Sequence, residues 1–384
     1  MADDNSGELT EIASAKTRLA DPNLRFPQRP KLPDDTFVYV MPDGLGVQVR
    51  GVVEPTIIRG KRASEAVQFI ASISAKGLTL SEILKAAPSS ISESAILRAF
   101  LILHSRGLIV GAATDENGPN SGVADTPEGK AALFWSRHLG VSGSCASAAV
   151  MARSLASYRV VLFGDGLFCA LLLEALVRSG FSNLLVLNWR GCRIVGEAFS
   201  SLHPLLEGAE HIEVTSATEL RDVLPGARAP DLLVTALRNA ADDLFEEVNR
   251  LCLRNRWPFL QGAETPEYFE IGPFVEPYDS ACVTCAHLRR RGTIDFPIEE
   301  RLFQNHFKQA AQGPDTAKGS ALEGEATASA LVPVGMLAME CIRIATTISL
   351  PTLLNAQLTF KPLSGELVKN RILRVPHCPD CQSP

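Results

Sequence analysis

The sequence predicts an α/β chain in two parts: a small winged-helix-like α+β domain, then a Rossmann-like domain built on a mostly parallel sheet. Three observations carry that prediction. Over residues 35–111, three short β-rich runs precede three helical stretches and one closing strand. From Arg159 to Glu264, five strand-like runs alternate with helix-like ones, as parallel crossover units require. Between the two parts lies AATDENGPNSGVADT, residues 112–126, whose Gly, Asn, Asp and Pro make a linker. A length of 384 residues is comfortable for two such units.

Taken in order, residues 1–34 show little periodicity and end in several prolines, so they read as a mobile arm. FVYVMPDG, GVQVRG and PTIIRG follow, each a short β-rich run ending in Gly. SEAVQFIASI and TLSEILKAA are helical, with Thr79 and Ser81 placed to cap the second. SISESAILRAFLILHSRG is a third helix, started by Ser92 and stopped by Gly107, and LIV returns as a strand. After the linker, EGKAALFWSRHLG and a stretch ending ARSLASY lead into the second domain, residues 127–384. There the strands are RVVLFG, NLLVLN, HIEVTS, DLLVTAL and PFLQGAE. The helices between them are LFCALLLEALVRSG, SSLHPLLEGA, TELRDVLPG and ADDLFEEVNRLCLRNR. Residues 309–329 are small and polar and read as a flexible crossover; a helix, VGMLAMECIRIATTIS, and a β-rich piece close the chain.

Charge and composition exclude several classes. A formal net charge of −6 provides no general basic field for nucleic acid or anionic lipid. The N-terminus is polar and acidic with no apolar core, unlike a secretory signal. No apolar run reads as long and clean enough to span a bilayer. A cytoplasmic protein is expected.

The chain has nine cysteines, an odd count that argues against a simple disulfide framework. Cys145, Cys169, Cys192, Cys252 and Cys341 are scattered, whereas Cys282-Val-Thr-Cys285 and Cys378-Pro-Asp-Cys381 are two C-x-x-C knuckles. Each knuckle aims two thiolates at one point, and two complete a tetrahedral sulfur cage. Structural zinc is the expected occupant, pinning the C-terminus to the loop after the sheet; an iron–sulfur cluster also fits four cysteines. His377, beside Cys378, reads as a bystander.

GDGLFC, residues 164–169, raises the question of a nucleotide. A G-x-G-x-x-G turn uses its first Gly for the bend, its second for phosphate approach and its third for helix–strand packing. Gly164 and Gly166 hold the first two positions, and Cys169 takes the third. Asp165 lies between them, where an inward carboxylate would repel phosphate. The next strand ends in Asn188-Trp189-Arg190 and lacks the acid that would hold a ribose hydroxyl. Both readings stand, a working phosphate loop or a turn kept for packing; the missing acid favours the second.

The order GDGLFC, DLLVTALRN, WPFLQGAE, PxxxPYDSACVTC and terminal HCPDC resembles the ThiF-like, ubiquitin-activating-enzyme-like superfamily. In that family an Asp-x-x-Asp-Asn run binds Mg-ATP. The matching positions here are Thr235, Ala236, Leu237, Arg238 and Asn239, so both aspartates are replaced, and an Arg does not hold Mg²⁺. With KAALFWSRHLG and RILRVPHCPDC, residues 35–384 resemble more narrowly the ThiF-like subunit of azoline-forming, YcaO-dependent peptide cyclodehydratases.

That resemblance implies a division of labour. A separate YcaO-type partner uses ATP and activates the substrate amide, while this chain binds the leader of a ribosomal precursor peptide and no ATP of its own. It further implies a thiazole/oxazole-modified microcin or bacteriocin as product, a homodimer, and a flavin-dependent azoline dehydrogenase as another partner. An open sheet edge can take an extended leader as an added strand. The expected platform is Thr56, Ile57 and Ile58, with Ile96, Phe100 and Leu103 on the helix from Ser92 to His104 as a groove wall. Those helix residues share a face at helical spacing with Ala99, and taken singly each reads better as the module's core.

Other candidates are weaker. Arg289, Arg290 and Arg291 could meet an acidic partner, or be a solvated patch. No scattered cysteine has a sequence-adjacent His or Lys to activate it as a thioester nucleophile, and the seven histidines show no paired-ligand spacing. The contending functions are therefore a leader-binding subunit and an active adenylating enzyme; a nicotinamide oxidoreductase lacks its ribose acid.

Overall fold

Alternating apolar residues build the first sheet. In the computed structural model, β2 (Phe37–Val40), β3 (Gly46–Arg50) and β4 (Thr56–Arg59) pair antiparallel in that order, Val38 opposite Val49 and Val47 opposite Ile58. These side chains point to one face, as a period of two demands. There they pack with Val67 and Ile70 of α2 (Lys61–Ile73) and Ile96, Phe100 and Leu103 of α4 (Glu93–Ser105). The structure describes residues 4–19, 26–33, 36–42, 44, 46–50, 55–106, 108–111, 148–189, 210–214, 219–220, 222–223, 229–312 and 327–382. It divides into two units, 1–154 with 346–349, and 155–345 with 350–384.

The helix starts follow capping chemistry. Thr79 closes a capping box with Glu82 at the head of α3 (Leu80–Lys85), and Ser92 accepts the Ala95 N–H at the head of α4. Ser81 lies inside α3 rather than at its cap.

The region read as an arm holds structure. Asp4–Leu19 form α1, whose Ala15 and Leu19 are buried in the same core, and Lys16 Nζ lies 2.5 Å from Glu93 Oε1. Ile12, Ala15 and Leu19 recur at helical spacing, a thin stripe diluted by polar neighbours. The closing strand expected at LIV is present in part. As β5 (Val110–Gly111) it pairs antiparallel with β1 (Pro30–Lys31), a two-stranded sheet separate from the three-stranded one.

In the second unit an eight-stranded sheet runs β13-β12-β11-β10-β9-β6-β7-β8. The five expected strands are β6 (Val160–Gly164), β7 (Leu184–Trp189), β8 (Glu210–Val214), β9 (Leu232–Arg238) and β10 (Phe259–Glu264), all parallel. Their near-continuous burial is what a sheet covered on both faces requires. β11 (Phe269–Val275), β12 (Ala356–Lys361) and β13 (Glu366–Arg371) extend it antiparallel. The sequence marks the last two only as a β-rich ending and gives no separate signal for β11.

The helices of this region are α5 (Ala148–Ser157), α6 (Gly166–Arg178), α7 (Asp242–Asn255), α8 (Val283–Arg291), α9 (Pro297–Gln312) and α10 (Thr327–Thr346). The order β7-β6-β9-β10 reverses direction between β6 and β9, which opens a crevice at the carboxyl ends of those strands. By length and composition α10 could cross a membrane, contrary to the sequence expectation. Its Val334, Leu337 and Cys341 are buried, and its buried Glu340 accepts from the Leu353 N–H at 2.6 Å and the Thr352 hydroxyl at 2.9 Å. A core helix carries the same apolar composition as a membrane span.

Several expected features lie outside the described residues: the Gly107 stop, the linker, EGKAALFWSRHLG, SSLHPLLEGA, Arg190, Cys145, Cys192 and most of the 309–329 crossover.

Candidate functional site

The two knuckles converge. Cys282 caps α8, Cys285 lies in its first turn, and Cys378 and Cys381 arrive on the C-terminal tail. All four are buried, and their Sγ atoms lie within 4.8 Å of one another. The shorter separations are 3.5 Å (Cys285–Cys381), 3.7 Å (Cys282–Cys378) and 3.9 Å (Cys282–Cys285). A disulfide needs about 2.05 Å. A tetrahedron with metal–sulfur bonds of about 2.3 Å has edges of about 3.8 Å. The donor set therefore fits a metal such as zinc. Hydrogen bonds from Cys282 and Cys381, with the Val375 N–H at 3.3 Å, hold the Cys285 thiol far below its ordinary range. Its bond to Cys285 pushes Cys282 up.

Neighbouring side chains fix the knuckles. The Thr284 hydroxyl donates to the Asp380 carboxylate, and the Asn249 amide oxygen accepts the Val283 N–H at 3.3 Å. Arg374 donates to the carbonyls of Tyr278 and Cys381, at 2.8 and 2.5 Å. His377 is exposed and bonded to Gln382, and it is not among the four grouped ligand candidates.

The arginine run is engaged in internal contacts and is not simply solvated. Arg289 donates to the carbonyls of Leu373 and Arg374. Arg290 reaches Asp242 at 2.5 Å and Glu270 at 3.0 Å, and Arg291 reaches Glu246 at 2.8 Å. His287, missed by sequence spacing, lies buried in this network with Nδ1 3.1 Å from Glu246. Burial opposes ionisation of Asp242, but His287, Arg290 and Arg291 outweigh it and hold the carboxyl below its ordinary value. Glu246 is lowered likewise, burial being outweighed chiefly by the His287 hydrogen bond. Asp242→Asn leaves Arg290 half-compensated in a buried setting. The expected loss is about 3 kcal/mol, to be read from the urea midpoint; an unchanged midpoint would show the network to be energetically idle.

The crevice keeps its turn and meets several of its hydrogen bonds internally, while the Oδ1 atoms of Asn188 and Asn239 are buried without a partner among the described residues. Gly164, Asn188 and Ala236 lie side by side across β6, β7 and β9, and Arg238 ends β9. A Cβ on Gly164 would lie 2.3 Å from the Ala236 carbonyl oxygen and 2.6 Å from Cys169 Sγ, so packing alone demands this glycine. Gly166 has φ +65°, a left-handed conformation that favours glycine. The Asp165 carboxylate accepts the Arg238 N–H at 2.7 Å, and its own N–H donates to Ala236 at 3.1 Å. Thr235 is fully buried, its hydroxyl exchanging hydrogen bonds with the Gly262 backbone at 3.0 and 3.2 Å.

The peptide-binding set divides. Ile57 is 51% exposed and Thr56 partly so, but Ile58 is buried. Ile96, Phe100 and Leu103 are wholly buried beneath the sheet, so they form the core and not a groove wall. Helical spacing alone marks a buried face without telling what covers it.

No family model and no curated protein matches the chain. Among solved structures, E. coli MccB with ATP aligns with a TM-score of 0.64 at 16% identity, over 92% of this chain and 99% of that one. The fold is that of MccB. The microcin C7 biosynthetic enzyme MccB in complex with N-formylated MccA gives 0.65 at 17% identity, over 92% and 99%. A heterocyclase in complex with substrate and cofactor gives 0.56 at 15% identity, over 92% of this chain and 39% of the heterocyclase. The match to MccB spans nearly all of both chains, whereas the match to the heterocyclase spans only about two fifths of the heterocyclase. On the MccB fold described above, the sulfur cluster and the crevice are both built from the second unit.

Proposed function

We propose that this chain is the leader-binding, non-adenylating subunit of an azoline-forming cyclodehydratase, zinc-stabilised and cytoplasmic. A separate YcaO-type partner would use ATP to convert Cys, Ser or Thr of a ribosomal precursor peptide into azolines. The observation that carries this reading is the crevice. Where a Mg-ATP site needs carboxylates, Thr235 is bonded into the sheet and position 238 is an arginine, while Asp165 is spent on the Arg238 N–H. Two neighbours on the same fold support it: MccB has been solved with the peptide MccA, and the heterocyclase with its substrate.

Purified protein is expected to give no ATP–pyrophosphate exchange, alone or with peptide. It is also expected to bind, without ATP, a leader peptide encoded beside it. Ile57→Asp, a change at an exposed strand position, should weaken that binding about tenfold or more while leaving the melting temperature nearly unchanged. Leader affinity insensitive to Ile57→Asp would remove β4 as the platform. The second reading, an active adenylating enzyme, draws on MccB having been solved with ATP. Exchange activity that disappears in Gly166→Ala would establish it and overturn the first.

A further inference from the structure

Resting on the leader-binding reading, we infer that the junction of β4 and α2 is the anchor for carboxylates of the bound peptide, through Arg59, Lys61 and Arg62. The ligand class is an extended segment that sets an apolar residue beside acidic ones. Three observations converge on this. All three cations are exposed, within four residues of chain, and none forms an ion pair among the described residues. They stand at the end of an edge strand, in line with exposed Ile57: two residues apart, Ile57 and Arg59 share the outer face of the sheet.

The third observation concerns the helix. α2 has no side-chain cap and no acid in its first turn, and its first carboxylate is Glu65. Lys61 and Arg62 instead occupy that first turn, where the positive end of the helix dipole repels cations. That placement costs stability, and this fold can build better helix starts, since α3 and α4 both carry side-chain caps and a first-turn acid. Cations kept where they weaken the fold, on a chain of net charge −6, mark a place for an anionic ligand. An added strand would set an apolar side chain against Ile57 and a carboxylate, two positions along, against Arg59. The acidic run would continue towards Lys61 and Arg62.

The test pans a phage-displayed random peptide library against the full-length chain, then measures enriched peptides by fluorescence anisotropy. Enriched sequences are expected to combine a branched or aromatic residue with Asp or Glu two positions away. In Arg59→Glu/Lys61→Glu/Arg62→Glu their affinity should fall about tenfold or more while the melting temperature holds or rises. A structural role for these cations predicts the opposite, a lowered melting temperature. Panning the triple variant should reverse the selection towards Lys and Arg. Enriched peptides without acids, or with affinity unchanged in the triple variant, would overturn the anchor. If Ile57→Asp then still abolished binding, the leader-strand reading would survive. If neither variant mattered, or no peptide were enriched, both would fall.

Discussion

Cys378→Ser is expected to empty the metal centre and loosen the tail of the chain. Wild-type protein should carry about one zinc per chain, and the variant close to none. A closed four-sulfur site in zinc-finger peptides is worth about 10–16 kcal/mol of apparent binding energy. Here other contacts share the load, since Arg289 and Arg374 also fasten the tail through backbone carbonyls. A fall in melting temperature of about 10 °C or more is still expected. With no cation, the three remaining thiols, close together in a buried site, must reprotonate and compete for hydrogen bonds. Metal analysis and differential scanning fluorimetry, with and without a strong chelator, check both expectations. His377→Ala is the control, because that residue is exposed and hydrogen-bonded to Gln382, away from the sulfur atoms, and it should change neither quantity. A chain that keeps its melting temperature with the centre empty would reduce the cluster to ordinary packing. Visible absorbance from an iron–sulfur cluster would replace zinc without altering the ligand set.

How much of this was legible beforehand depends on whether a residue's job is local. The convergence of the four cysteines could be read because a C-x-x-C turn is self-contained, and two such turns are suited to meet at one point. The parallel strands could be read because burial on both faces leaves continuous apolar runs such as Val160–Phe163. What stayed hidden depends on partners far along the chain. Asp165 meets the Arg238 N–H, 73 residues away, and Arg290 meets Asp242, 48 residues away. No spacing rule announces either pair. Ile96, Phe100 and Leu103 illustrate a third case: the pattern correctly gave one face of a helix but could not say that the sheet already covers it. For α1, too few apolar positions among polar ones left the periodicity too faint to read.

Gly164→Ala separates the two explanations of the glycine turn most sharply. A phosphate loop keeps glycine so that a ligand can approach, and an alanine there would cost ligand affinity more than stability. In this fold the added methyl meets the Ala236 carbonyl oxygen at 2.3 Å, Cys169 Sγ at 2.6 Å and Cys169 Cβ at 2.9 Å. The first of these is backbone of a central strand, held by pairs on both sides, so it cannot swing away as a long side chain would. Either β6 and β9 part or α6 lifts from the sheet. The expected cost is about 3 kcal/mol or more, a fall in melting temperature of about 6–12 °C. Gly166→Ala should cost only about 1–2 kcal/mol, the strain of a left-handed residue. Isothermal titration with Mg-ATP should register no heat in either variant or in the parent. Gly164→Ala protein as stable as the parent would refute the packing explanation. A measurable ATP affinity in the parent, lost in the variant, would return the turn to nucleotide chemistry. The Asp165 carboxylate, held on the Arg238 N–H, weighs against that return, because a phosphate entering the turn would sit close to its negative charge.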